Sequence, residues 1–248
     1  MSGHSKWSKI KRKKENTDAT RGRLFTKLIK EVTIAAREGG GDEDMNPRLR
    51  TVIQNAKANN MPQSNIEKAI KKGTGELPGV VYEEATYEGY GPGGVAVLIE
   101  IVTDNKKRSV SDIRHILSKS GGSMGAVGSV SWMFNKRGII VVEDSRITED
   151  KLMEIVLEKG ADDIINDNGI FEVITSPEAF EDVKNALKEA EINFTSANVT
   201  MVPKNFVRVE GKEAEQVLKL MELLEAHEDV HNVYCNFDVD EEVIKNFK

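Results

Sequence analysis

The sequence predicts an α+β protein with an N-terminal three-helix domain, an α+β second domain and a ferredoxin-like third domain inserted in the second. Apolar residues recur at helical spacing up to about residue 73, and at strand spacing from residue 81. Residues 138–203 follow a βαββαβ order, which is that of a ferredoxin-like unit. The strand, helix and strand after residue 203 cannot extend such a closed unit, so they are assigned to the domain that begins near residue 79.

The first predicted domain, residues 1–78, is a small helical bundle. Its first helix carries apolar residues from Leu24 to Ala36 and stops at Gly39–Gly41. Asn46 followed by Pro47 predicts an N-cap and the first position of a second helix. Pro62 precedes the third helix, whose last turn is followed by Gly73.

The second predicted domain is discontinuous and combines residues 79–136 with residues 204–248, and the third comprises residues 137–203. A hairpin of Val81–Tyr87 and Val95–Ile101 opens the second domain, and a helix follows over Ser109–Lys119. A strand is predicted over Val130–Phe134, with Trp132 in the core. The glycine-rich segment 121–128 before it is compatible with a structural loop or with one that faces a partner.

Charge is distributed unevenly along the chain. The first 78 residues carry 17 Lys and Arg against 9 Asp and Glu, a net charge of +8, whereas the other 170 residues carry 18 against 32, a net charge of −14. Such asymmetry favours an acidic partner at the basic end, and nucleic acid is the leading candidate.

The candidate nucleic-acid contacts combine a basic N-terminal segment with the polar face of the first helix. A solvated tail is the alternative interpretation of the first 14 residues, but the basic excess continues into folded sequence. Cations can neutralise phosphates while an indole stacks on a base. The predicted contacts are Lys6, Trp7, Lys9, Lys11, Arg12, Lys13, Lys14, Arg21, Arg23, Lys27 and Lys30.

A second basic cluster stands in the otherwise acidic part of the chain. It comprises Lys106, Lys107, Arg108 and Arg114, and Lys119 follows it closely. A second contact surface and an ordinary solvated helix explain this cluster equally well.

Other functional classes find little support. Gly89-x-Gly91-x-x-Gly94 leads into a strand rather than a helix, so a hairpin turn is favoured over dinucleotide binding. No catalytic constellation or metal-ligand spacing is evident, so neither an enzyme nor a cofactor is expected. Cys235 is the only cysteine, which excludes an intrachain disulfide and favours a buried thiol in a cytoplasmic protein. A scaffold that binds only proteins remains a third option.

Several spaced segments closely resemble the YebC family. They are Gly3–Trp7, Phe25–Ile29, Asn46–Arg50, Ile66–Gly75, Tyr87–Val97 and Gly128–Phe134. The resemblance implies the three-domain fold given above and a non-enzymatic regulator of gene expression. It implies either a DNA-binding transcriptional regulator or a ribosome-associated translational activator. The expected partners are therefore DNA or ribosomal RNA, with ribosomal proteins as further candidates and no membrane; the oligomeric state is not predicted.

Overall fold

The computed structural model describes residues 18–144, 146–167 and 169–247. The fold is α+β, with N-terminal helices followed by sheet-containing parts, as the sequence predicts. Helices α1 (Asp18–Gly39), α2 (Pro47–Ala58) and α3 (Gln63–Gly73) pack around a common apolar core that includes Leu28 and Leu49.

Asn46 joins the end of α1 to the start of α2. Its Oδ1 accepts a hydrogen bond from the Leu49 amide at 3.0 Å, which confirms the predicted N-cap. Its Nδ2 donates to the carbonyl oxygens of Ala35 and Gly40, each at 2.8 Å. One buried side chain therefore satisfies backbone groups of two helices.

The remaining elements alternate between strands and helices. In chain order they are β1 (Glu83–Tyr90), β2 (Ala96–Thr103), α4 (Lys106–Lys119), β3 (Ser123–Met124), β4 (Phe134–Val142), α5 (Glu149–Leu157), β5 (Ala161–Asp167), β6 (Ile170–Thr175), α6 (Phe180–Glu189), β7 (Phe194–Pro203), β8 (Val207–Arg208), α7 (Gly211–Ala226), β9 (Val230–Cys235), β10 (Phe237–Asp238) and α8 (Glu241–Asn246).

The first sheet has the order β3-β1-β2-β9, with antiparallel neighbours throughout. Strand β9 lies far along the chain yet pairs with β2, where Ile99 is opposite Val233. One core unites β2 and β9 with α4 and α7 through Ile113, Leu218 and other buried residues. The C-terminal elements thus complete the sheet that β1 and β2 begin.

The second sheet has the order β5-β6-β4-β7, and its chain order with α5 and α6 is βαββαβ. Its core, which includes Ile140, Leu152 and Val183, forms a separate cluster of buried residues. Between β3 and β4 the predicted strand over 130–134 is wrong. Residues Ser131–Met133 form a 3-10 turn, and β4 begins at Phe134 and continues unbroken to Val142.

Cys235 is buried at the end of β9. Burial raises the pKa of its thiol to about 12, although backbone hydrogen bonds oppose that shift. The thiol is therefore protonated at neutral pH, which agrees with the expectation of a structural cysteine. None of the helices in the described part of the chain is long and apolar enough to cross a membrane.

Candidate nucleic-acid interface

The basic N-terminal segment cannot be placed on the structure. Its predicted contacts Lys6, Trp7, Lys9, Lys11, Arg12, Lys13 and Lys14 lie outside the described residues.

Arg21 and Arg23 lie in the first turns of α1, and both are exposed. The guanidinium carbon of Arg21 lies 5.3 Å from the centre of the Phe25 ring, a cation–π distance. These two arginines are therefore placed at the surface, immediately after the basic segment.

Lys27 and Lys30, further along α1, face the second sheet-containing part of the molecule. The Lys27 ammonium donates to the carbonyl oxygen of Glu225 at 2.8 Å. That carbonyl belongs to the last turn of α7, where the helix dipole favours a cation. Lys27 is half-buried, so the structure gives it a docking role in the folded chain.

The prediction that Lys30 contacts phosphate is wrong. Lys30 is buried, with 7% of its surface exposed. Its ammonium donates to Asp229 Oδ1 at 2.8 Å, to the Glu228 carbonyl oxygen at 3.0 Å and to the Val102 carbonyl oxygen at 3.3 Å. All three protons of the ammonium are therefore directed at the protein, and none is available to a nucleic acid.

Asp229 connects three elements through one buried carboxylate. Oδ1 accepts from Lys30 on α1, and Oδ2 accepts from Arg108 Nη2 and Ser109 Oγ on α4, each at 2.8 Å. Thr103 Oγ1 also donates to Oδ2, at 3.1 Å. Burial alone would raise the pKa of Asp229, but the hydrogen bonds from Arg108, Lys30 and Ser109 outweigh it and hold the pKa well below its usual range.

The predicted cluster on α4 separates into two groups. Lys106 pairs with Glu83 at 2.5 Å, and Arg108 pairs with both Asp104 and Asp229. Lys107 and Arg114 are exposed, and no carboxylate within the described ranges pairs with either of them. At 100° per residue, Lys107 and Arg114 lie on one stripe of the helix, opposite the buried residue Ile113.

The exposed bases of α1 and α4 lie around the same end of α7. Lys30 and Arg108 bind opposite oxygens of Asp229, which fixes the two basic helices next to each other. From there α1 reaches Glu225 through Lys27, and α4 reaches His227 through Asp112, with 3.5 Å between Nε2 and Oδ2. The first turns of α1 and the second half of α4 therefore extend from one junction.

Sequence reasoning missed some bases of the helical bundle as candidates. Lys57 in the last turn of α2, Lys68 on α3, and Lys71 and Lys72 in the last turn of α3 are all exposed. Their common sign and their places in or near final helical turns were visible in the sequence. They were attributed there to helix stabilisation alone.

Trp132 differs from its prediction. It is 60% exposed rather than buried in the core, and it lies in the 3-10 turn that precedes β4. Its Nε1–H donates to the carbonyl oxygen of Ser129 at 3.1 Å. The apolar sequence around it suggested a strand, but the neighbours Val130 and Phe134 take the buried positions instead.

A basic helical bundle linked to two sheets, with no assembled catalytic constellation in view, has the features of a binding protein. Comparison with known proteins places it more closely. The family model described as "TACO1/YebC protein N-terminal domain" matches residues 5–76, and "TACO1/YebC second and third domain" matches residues 82–237. The chain belongs to the TACO1/YebC family.

Relatives match the chain over nearly its whole length. A probable transcriptional regulatory protein of Desulfotalea psychrophila is 55% identical over 99% of this chain and 98% of its own. One of Desulfatibacillum aliphaticivorans is 58% identical over 98% of this chain and 99% of its own. The crystal structure of a conserved hypothetical protein from Aquifex aeolicus superposes with a TM-score of 0.80 at 44% identity, over 91% of this chain and 93% of that one.

Proposed function

We propose that this chain is a non-enzymatic regulator of gene expression that binds DNA, mainly at its phosphates. The contact surface comprises residues 1–23 and the exposed stripe of α4 that carries Lys107 and Arg114. The name shared by its relatives, probable transcriptional regulatory protein, supports a regulatory role.

The observation that carries this proposal is the convergence of two basic helices at the end of α7. Arg23 lies seven residues from Lys30 on α1, and Arg114 lies six residues from Arg108 on α4. At a rise of 1.5 Å per residue each is about 10 Å from the junction at Asp229. The exposed bases are thus close enough to contact one nucleic acid, with the N-terminal segment continuing from α1.

Phosphate contact is favoured over base readout by the kind of residues involved. The surface consists of Lys and Arg without an assigned side chain that reads base edges. The acidic remainder of the chain, with its net charge of −14, repels polyanions and confines them to the basic end. Binding is therefore expected to depend weakly on sequence.

Paired substitutions test the surface. Arg21→Ala with Arg23→Ala, and separately Lys107→Ala with Arg114→Ala, should each weaken binding to two unrelated duplexes by similar factors. Lys159→Ala with Lys188→Ala is the matched control, because both lysines are exposed on the inserted unit. Equal affinity of all three variants and the parent chain would contradict the proposed surface.

Ribosomal RNA is the alternative partner, since phosphate contacts do not distinguish the two nucleic acids. Crosslinking in cells, followed by sequencing of the recovered DNA and RNA, separates the alternatives. Recovery of promoter DNA supports transcriptional regulation. Recovery of ribosomal RNA alone would assign the same surface to a ribosome-associated translational activator.

A further inference from the structure

The loop between α4 and β4 presents apolar side chains to solvent. Val127 is 96% exposed and Trp132 is 60% exposed. The Ser129 carbonyl accepts the indole N–H, so the only polar atom of Trp132 is satisfied within the protein. The exposed part of this side chain is therefore its apolar ring surface.

A buried carboxylate holds this loop in place. Glu88 accepts hydrogen bonds from the amides of Gly128 at 2.7 Å, Val130 at 2.6 Å and Ser131 at 2.8 Å. Burial alone would raise the pKa of Glu88, but these bonds outweigh it and lower the pKa. The Tyr90 hydroxyl also donates to the Ser129 carbonyl oxygen, at 3.1 Å. The loop is ordered before any partner binds, which reduces the entropic cost of binding.

The charge around the loop suits a polyanion. Residues 113–142 contain neither Asp nor Glu, although the chain after residue 78 is strongly acidic. Lys204 Nζ donates to the Trp132 carbonyl oxygen at 2.6 Å, which places a cation beside the indole and leaves two further N–H donors of that ammonium. Lys119 in the last turn of α4 adds a second cation near the start of the loop.

We propose that Trp132 and Val127 form a platform on which unpaired bases of single-stranded nucleic acid stack, with Lys204 next to the sugar–phosphate backbone. An aromatic surface flanked by cations binds single strands in this way, whereas a duplex keeps its base faces inside the stack. The platform is separate from the duplex surface of α1 and α4. It names a second substrate class, and it does not depend on the proposed function.

Tryptophan fluorescence tests the platform in the full chain. The chain has two tryptophans, so Trp7→Phe leaves Trp132 as the only reporter. A twelve-residue oligothymidylate should quench its emission with saturation, and a blunt duplex of twelve base pairs should not. Trp132→Leu should weaken binding of the single strand about 5- to 100-fold, because stacking contributes about 1–3 kcal/mol per base.

Two controls separate this test from that of the duplex surface. Leu157→Ala alters an apolar residue of α5 that is 49% exposed and should leave single-strand affinity unchanged. Lys107→Ala with Arg114→Ala should weaken duplex binding but leave the quenching of Trp132 intact. Absence of quenching by the single strand, or unchanged affinity in Trp132→Leu, overturns the platform whatever the duplex measurements show.

Discussion

Lys30 and Arg23 occupy the same polar face of α1, yet only one of them is at the surface. Helical periodicity gives the direction of a side chain but not what covers it. The carboxylate that binds Lys30 comes from Asp229, 199 residues away, and nothing in the local pattern indicates that contact. A basic residue on an amphipathic helix can thus serve docking or binding.

Replacement of Lys30 by Met tests its structural role. We expect a loss of about 3 kcal/mol in the free energy of unfolding, the lower end for a broken buried pair, because Arg108 still holds Asp229. The salt dependence of duplex binding should not change. Lys107→Met is the control, with an effect on stability within about 0.5 kcal/mol for an exposed residue. Urea unfolding measures both, and a stable Lys30→Met protein with a flatter salt dependence would restore Lys30 as a phosphate contact.

Replacement of Glu88 by Gln tests the brace under the loop. The amide has one acceptor oxygen and presents its NH2 group to backbone donors, so we expect a loss of about 1–3 kcal/mol in the free energy of unfolding at neutral pH. Glu154→Gln, at an exposed position of α5, should change it by less than about 0.5 kcal/mol.

The lowered pKa of Glu88 fixes the direction of its pH dependence. Its stabilisation is fully present above the ordinary value of 4.5 and is lost as the pH falls through the lower value of the folded state. The difference in stability between the parent chain and Glu88→Gln should therefore shrink in acid. A difference that is constant between about pH 3 and pH 7 would contradict this role.

At the scale of elements, the sequence predicts the helices and the βαββαβ order because each has a regular apolar period and clear caps. It misplaces the segment around Trp132, since an apolar run of five residues does not distinguish a strand from a turn that contributes only some of its side chains. The pairing of β2 with β9 depends on contacts distant in the chain, and the sequence supports it only through the argument that the leftover elements need a sheet.

Removal of the inserted unit tests the division into domains. Lys136 and Met201 lie directly opposite each other in β4 and β7, so an Asn-Gly turn can replace residues 137–200 and keep Phe134 paired with Pro203. We expect the shortened chain to unfold cooperatively, because the core of the second sheet is a separate cluster. Circular dichroism during thermal unfolding measures this, and an aggregated or non-cooperative product would contradict the proposed domain boundaries.

At the scale of the whole molecule, the structure pairs a basic helical bundle with acidic sheet-containing parts. Composition alone revealed the asymmetry of charge, and the junction at Asp229 shows how the exposed bases of two helices come together. Which bases remain exposed could not be predicted, because burial depends on how the parts pack against one another. The central claim is that the basic end binds phosphates.

The salt dependence of duplex affinity tests that claim most directly. Each neutralised phosphate contributes a slope of about −0.9 to log affinity against log salt, so about five to eight contacts predict a slope of roughly −4 to −7. Lys11→Ala, Arg12→Ala and Lys13→Ala together should flatten the slope by up to about three units and weaken binding to unrelated duplexes equally. Lys151→Ala, Lys159→Ala and Lys188→Ala together should leave it unchanged. A salt-independent affinity, or a loss confined to one sequence, would contradict the claim.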